Sequence, residues 1–239
     1  MDDVLYIVMP AYNEQDNIVD VIKDCYPQLD GKNKNSRLVV ADSGSTDKTH
    51  ELLLNLQKNF PKLEIFSDCE RYHGSKVVAL YKYAISKGAD YIFQTDSDGQ
   101  TVADEFSPFW DERESYDAIL GHRKNRGDGK FRSFVEWVCC KCIRFYFGIK
   151  VYDSNVPFRL MKSDKLAKFI NKVPENHNLP NILVTVYFAI NKCKIKFIDV
   201  SFLSRDAGKS MYNLNKIMNF GFGILKDFHK IKKEKSNQA

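Results

Sequence analysis

No run of about 18 apolar residues occurs in this 239-residue chain, so no membrane-spanning helix is expected. No secretory leader is expected either. Asp2 and Asp3 stand where a basic segment belongs, and Val4 to Met9 is too short for an apolar core. The six cysteines (Cys25, Cys69, Cys139, Cys140, Cys142, Cys193) lack zinc-ligand spacing. Without a leader they are expected as reduced thiols in the cytoplasm, not as a disulfide framework. The Gly-x-Gly-x-x-Gly turn of dinucleotide-binding folds is missing, as is the Gly-Lys-Ser/Thr ending of a P-loop. A nicotinamide dehydrogenase and a P-loop ATPase are therefore disfavoured. The formal charge of +5 is too mild to imply a nucleic-acid partner. Positive charge does gather late, with seven lysines between Lys209 and Lys235, which suits an anionic membrane surface or a solvated tail.

What is present alternates regularly. Leu5–Met9 is an unbroken apolar run, as expected of a parallel strand covered on both faces, and Arg37–Ala41 reads as a second buried strand. Leu63–Phe66 and Asp90–Gln94 read as further strands. Helical spacing appears over 17–26, after Thr49 and over 76–86, with Asn13 or Asp16 as candidate caps of the first helix. The pattern β-α-β-α-β-α-β predicts an α/β domain with a doubly wound, mostly parallel sheet and helices on both faces. In such sheets ligands bind beyond the carboxyl ends of the strands. The loops at 10–14, 42–49 and 95–100 are therefore expected to meet. The last reads Thr95-Asp96-Ser97-Asp98-Gly99-Gln100. Two carboxylates two residues apart at a strand exit suit a hard divalent cation, Mg²⁺ or Mn²⁺, and Gln100 adds a third oxygen. Alone, Asp-x-Asp is equally a polar turn. The expected convergence with the other loops favours a site.

The ordered segments PAYNE (10–14), ADSGSTDKT (41–49), TDSDGQ (95–100), GHR (121–123), DSNVPFRLMK (153–162) and RDAGKS (205–210) resemble family 2 glycosyltransferases of the GT-A fold. The likeness runs from about residue 4 to 213 and is closest to polyprenyl-phosphate sugar transferases of the dolichol-phosphate-mannose-synthase kind. Departures are DSNVPFR in place of a DxxSGFR type and Asp-Ser-Gly where Asp-Asp-Gly is usual. The resemblance implies a metal-dependent enzyme moving a sugar from a nucleoside-diphosphate donor to an acceptor with inversion. It implies metal binding by Asp96, Asp98 and Gln100, with Asp98 as the direct ligand. Pro10, Tyr12, Glu14, Asp42 and Lys76 would meet the donor, with Asp47 as a helix cap. Arg123 would meet an acceptor phosphate, helped by Arg132 and Arg159. Arg205, Lys209 and Ser210 would close over the diphosphate. Asp153 would be the base if the acceptor is a sugar hydroxyl, or an orienting residue if it is already an anion.

Two apolar stretches bear on the acceptor. Phe134–Ile149 is aromatic-rich but broken by Glu136, Lys141 and Arg144, so it suits either a buried helix or a helix lying in lipid headgroups. From Tyr212 a basic amphipathic helix is expected, either docked on the body or lying on a membrane. We accordingly divide the chain into a transferase domain, 1–213, and a C-terminal helix and tail, 214–239. The expected enzyme is cytoplasmic and peripheral on the inner membrane face, acting on a lipid-linked acceptor. Its alternatives are a transferase acting on a glycan hydroxyl and a non-catalytic nucleotide-sugar-binding module.

Overall fold

A computed structural model describes residues 3–124, 130–203 and 214–236, without the side chains of 130–132, 214–220, 222 and 236. The first half is four parallel strands, β1 (Leu5–Ala11), β2 (Arg37–Asp42), β3 (Leu63–Phe66) and β4 (Tyr91–Gln94). Between them run α1 (Ile18–Cys25), α2 (Thr49–Gln57) and α3 (His73–Ser86). Every residue of β1 and β4 is buried, which explains their unbroken apolar character. The chain steps outward from β1 to β2 to β3, then returns to the other side of β1 at β4. With right-handed crossovers that reversal puts α3 on the face opposite α1 and α2. It also opens a crevice between the ends of β1 and β4. Pro10 fits in β1 because β4 pairs only with Leu5–Val8, so the missing N–H lies past that ladder.

The second half adds α4 (Ser107–Asp111), β5 (Ala118–His122), α5 (Lys130–Phe147), β6 (Arg159–Lys162), α6 (Ser163–Ala167), α7 (Pro180–Ile190), β7 (Ile195–Asp199) and α8 (Leu214–Ser236). The seven strands lie in the order β3-β2-β1-β4-β6-β5-β7. β6 runs antiparallel to β4 and β5, while β5 and β7 are parallel. This antiparallel strand puts the start of β6 at the sheet edge where β4 and β5 end. Neither β5 nor β6 is expected from the pattern, since both are short and sit inside stretches that read as ligand loops.

Neither Asn13 nor Asp16 caps α1. Asn17 stands at its N-terminus without a side-chain bond to it, and Asn13 instead bonds across to the 42–49 loop. α8 docks on the body along its described apolar side: Ile224, Phe228 and Ile231 are buried. The Phe228 ring lies 5.8 Å from Tyr146 and 5.5 Å from Phe147, and Asp227 pairs with His177 at 2.9 Å. Among the described residues no helix is long and apolar enough to cross a membrane.

Gly74, in the first turn of α3, meets the backbone of the 174–179 segment. A Cβ there would stand 1.9 Å from the His177 carbonyl oxygen. Gly74→Ala is therefore expected to lower stability by about 1–3 kcal/mol, because backbone must move to admit one methyl. A denaturant melt checks this, and an unchanged midpoint would mean that the segment gives way freely.

Candidate active site

The loops after β1 and β2 are tied together by short polar side chains. Asn13, at φ 54°, accepts from the Thr46 N–H at 2.7 Å, and its own N–H donates to Ser45 Oγ at 3.1 Å. The Glu14 N–H donates to Thr49 Oγ1 at 2.8 Å, and the Gln15 N–H to Asp47 at 3.2 Å. Asp47 also accepts from the Thr49 N–H at 2.9 Å, close to its expected role at the start of α2. Asp42 is 3% exposed, with Ser45 Oγ donating at 2.5 Å and His50 Nδ1 2.9 Å away. Glu14 accepts from Asn17 at 2.8 Å. The third loop joins them through Ser97 Oγ, which donates to the Pro10 carbonyl at 2.8 Å. The expected convergence of 10–14, 42–49 and 95–100 is thus present.

Lys76 lies beneath this meeting point, not at its surface. It is fully buried, donating to the Ala11 carbonyl at 2.5 Å with its ammonium 5.3 Å from the centre of the Tyr12 ring. Burial lowers its pKa, opposed by Asp42 and Cys69. The expected donor contact through Lys76 is corrected to a support under the end of β1. Its place in α3 turns it inward, where the Ala11 carbonyl is its partner.

Asp96 and Asp98 stand at the exit of β4. His73 Nε2 lies 3.3 Å from Asp96 Oδ1. Burial alone would lower the His73 pKa, but the hydrogen bond and charge of Asp96, with Asp98 beyond, hold it above the ordinary value. Asp98 Oδ1 accepts from the Gln100 N–H at 3.2 Å. Two carboxylates at the end of one strand offer hard oxygen donors, which fits Mg²⁺ or Mn²⁺. No group of three His, Cys, Asp or Glu among the described residues is arranged to hold a metal alone. That donor set suits an ion completed by phosphate oxygens and water. Gln100 is placed differently from the third-ligand expectation. Its side-chain amide donates to the Leu203 carbonyl at 2.8 Å, and its own carbonyl accepts from the Leu203 N–H at 2.8 Å. It pins residues 201–203 beside the Asp96–Asp98 turn.

On the other side of the site the start of β6 and the end of β5 bring Asp153 and Arg123 together. The guanidinium donates to Asp153 twice, at 2.7 and 2.9 Å, and both side chains are almost wholly buried. The Phe202 ring stacks on the same guanidinium at 4.9 Å. The turn holding Asp153 is fixed by Glu136 from α5, which accepts from the Ser154 N–H at 2.7 Å and Ser154 Oγ at 2.6 Å. Arg123, Asp153 and Glu136 border a cavity of about 320 Å³ whose lining also holds Lys124, Lys141, Arg144 and Lys150. Five cationic side chains thus line it against two carboxylates, with Arg123 paired to Asp153 and Lys124 to Asp199 outside the lining. Burial, with Glu136 adding to it, pushes the Cys139 and Cys140 thiols well above their ordinary pKa.

Arg159 does not reach this cavity. It is fully buried, donating to the carbonyls of Val156, Asn181 and Ser154 at 2.8, 3.1 and 3.2 Å. The expected acceptor contact is corrected to an internal post that holds the 153–158 turn against α7. β6 is wedged between β4 and β5, so its first side chain points into protein. The side chain of Arg132, and all of Arg205, Lys209 and Ser210, lie outside the described residues. Sequence reasoning missed Glu136, His73 and Phe202 as parts of the site. Glu136 breaks an apolar helix, which was a usable signal. His73 and Phe202 offer none, since only the fold brings them to Asp96 and Arg123.

Residues 6–170 match the sequence profile described as glycosyl transferase family 2. The chain belongs to that family. Among curated relatives, this glycosyl transferase family 2 chain is 23% identical over 220 residues to an undecaprenyl-phosphate 4-deoxy-4-formamido-L-arabinose transferase of Edwardsiella ictaluri, covering 92% of this chain and 66% of that one. A protein of the same name from Pseudomonas paraeruginosa is 22% identical, at 93% and 64% coverage. The chain thus spans about two thirds of the length of these relatives. Among solved structures it is similar to glucosyl-3-phosphoglycerate synthase of Mycobacterium tuberculosis in complex with Mn²⁺, UDP-glucose and glycerol 3-phosphate. The TM-score is 0.65 at 18% identity, covering 91% of this chain and 76% of the other. The family 2 chain has the GT-A fold of such neighbours, with the mixed sheet and central β4 exit described above.

Proposed function

We propose that this protein is a metal-dependent glycosyltransferase that moves a sugar, with inversion, from a nucleoside-diphosphate donor to a polyprenyl phosphate. The observation that carries this is the buried Arg123–Asp153 pair at the wall of a cationic cavity. A base for a hydroxyl acceptor needs a carboxylate able to take a proton. Asp153 is bound at both oxygens by one guanidinium, which suits a holding role. A phosphate acceptor is already an anion and needs no base. Surrounding cations suit its charge. The relatives named as undecaprenyl-phosphate transferases support the same acceptor class.

Asp96 and Asp98 would hold the Mg²⁺ or Mn²⁺ that neutralises charge growing on the departing diphosphate. A solved neighbour with Mn²⁺ and UDP-glucose supports that use. Tyr12, Glu14 and Asp42 form the nucleoside wall, held in place by the Asn13–Thr46 network. Arg123 holds the acceptor phosphate so that one oxygen attacks the sugar C1 from the face opposite the diphosphate. The bond from C1 to the diphosphate breaks with its electron pair leaving on the nucleotide, and no proton changes hands. By the sequence resemblance, Arg205, Lys209 and Ser210 would contact the diphosphate. The enzyme would work at the cytoplasmic face of a membrane, where such lipids present their phosphate.

The test is a panel of UDP- and GDP-sugars with Mn²⁺ and a short-chain polyprenyl phosphate. Sugar recovered in the organic phase, and lost on adding EDTA, is the expected result. Metal-dependent donor hydrolysis without lipid product would move the acceptor to a glycan hydroxyl. Binding of a donor without hydrolysis or transfer would leave a non-catalytic nucleotide-sugar-binding module.

A further inference from the structure

Helix α5 divides its circumference among three neighbours. Ile143 is fully buried and Tyr146 packs on the core. Glu136, Cys140 and Arg144 line the cavity. The remaining arc carries Phe134, Trp137, Val138, Lys141 and Phe145. Their spacing confines them to roughly 100° of the helix. All four apolar members are exposed: Phe145 83%, Phe134 58%, Trp137 57% and Val138 38%. The other exposed large apolar side chains among the described residues, Leu54, Tyr72, Tyr152 and Leu203, form no such row.

We infer that this arc seats the protein on a lipid bilayer bearing anionic headgroups, with the cavity mouth turned to the membrane surface. The inference rests on the polyprenyl-phosphate reading for its purpose, though not for its physics. Three features favour lipid. Among the described side chains the arc has no acidic residue, and its one charge is Lys141, whose ammonium lies 5.3 Å over the Trp137 ring. Arg144 and Lys150 stand at the adjoining cavity, so cations flank the apolar row. Trp, Phe and a snorkelling Lys on one helix face suit the boundary between headgroups and acyl chains. Finally, Trp137 and Lys141 belong both to the arc and to the cavity lining. A phosphate at headgroup depth therefore reaches the cavity without its chain leaving the bilayer. The described apolar residues Ile224, Phe228 and Ile231 of α8 face the body instead.

The test uses the full chain and vesicles of phosphatidylethanolamine with phosphatidylglycerol, against pure phosphatidylcholine. Co-sedimentation is expected with the anionic vesicles and weaker with the neutral ones. Phe134→Ser with Phe145→Ser should weaken partitioning by on the order of 100-fold. In a Trp110→Phe background, brominated lipids should quench Trp137, a measurement that needs no change in the arc. Turnover of a short-chain, water-soluble polyprenyl phosphate should be unaltered in the Phe134/Phe145 variant, while turnover of vesicle-embedded acceptor falls. Equal vesicle binding by wild type and variant, or an unquenched Trp137, would overturn the seat. So would a dimer in sedimentation equilibrium that the variant dissolves while vesicles are ignored, since the arc would then face a second copy. Phenylalanine-dependent binding without turnover of any polyprenyl phosphate would keep the seat and remove the proposed acceptor.

Discussion

Asp98→Ala is expected to lower sugar transfer by about three orders of magnitude while leaving the fold intact. Asp98 sits half-buried in a turn beyond β4, outside the apolar core. The catalytic loss follows from the leaving group. A diphosphate departs with added negative charge, and an ion held by a carboxylate pair stabilises it by several kcal/mol. About 4 kcal/mol corresponds to roughly a thousandfold. Asp98→Asn should retain part of the activity at raised Mn²⁺, because one neutral oxygen still coordinates. Initial rates across a Mn²⁺ titration, with a thermal melt as control, measure both. Full activity of Asp98→Ala at the ordinary metal concentration would move the metal elsewhere or remove it from the chemistry.

The second large effect concerns Asp153. Its removal takes from the buried Arg123 guanidinium the carboxylate that accepts two of its hydrogen bonds, which destabilises by about 3–5 kcal/mol. Asp153→Ala should therefore melt early and lose transfer, yet keep metal-dependent donor hydrolysis where enough protein stays folded. Replacing both partners with apolar residues, Arg123→Met with Asp153→Leu, should restore much of the stability and none of the transfer. Denaturant melts and a comparison of hydrolysis with transfer separate the two effects. If Asp153→Ala were as stable as wild type, and a small added carboxylate revived transfer, Asp153 would be a base and the acceptor a hydroxyl.

The donor half of this site was legible because its signals are local. A buried parallel strand needs a continuous apolar run, and a polar loop must follow it, so Leu5–Met9 and Arg37–Ala41 announced both element and site. Asp96 and Asp98 inherited their place from that alternation. The acceptor half was legible only as motifs. β5 and β6 are four or five residues long, too short for periodicity to separate from loop. The antiparallel turn of β6 leaves no local mark. Arg123 and Asp153 are 30 residues apart, and nothing in either neighbourhood names the other. Lys76 and Arg159 misled because charged residues ordinarily seek water. Both are buried because backbone carbonyls receive them, and carbonyl positions are a property of the finished fold. The exposed arc of α5 was half legible: an aromatic-rich helix was plain, but which side faced outward depended on where the core lay.

The antiparallel strand has one more consequence. Because β6 returns beside β5, the chain leaves the sheet after His122 and re-enters it at Arg159, with the Gly121 N–H donating to the Phe158 carbonyl at 2.9 Å. The stretch between is a closed excursion with adjoining ends, holding Arg123, α5 and Asp153 but neither Asp96 nor Asp98. Such a cassette can be exchanged between relatives, or lengthened within, while the nucleotide half keeps its own strand neighbours. What the protein gives and what it gives it to are thereby free to diverge separately, as two inheritances on one sheet.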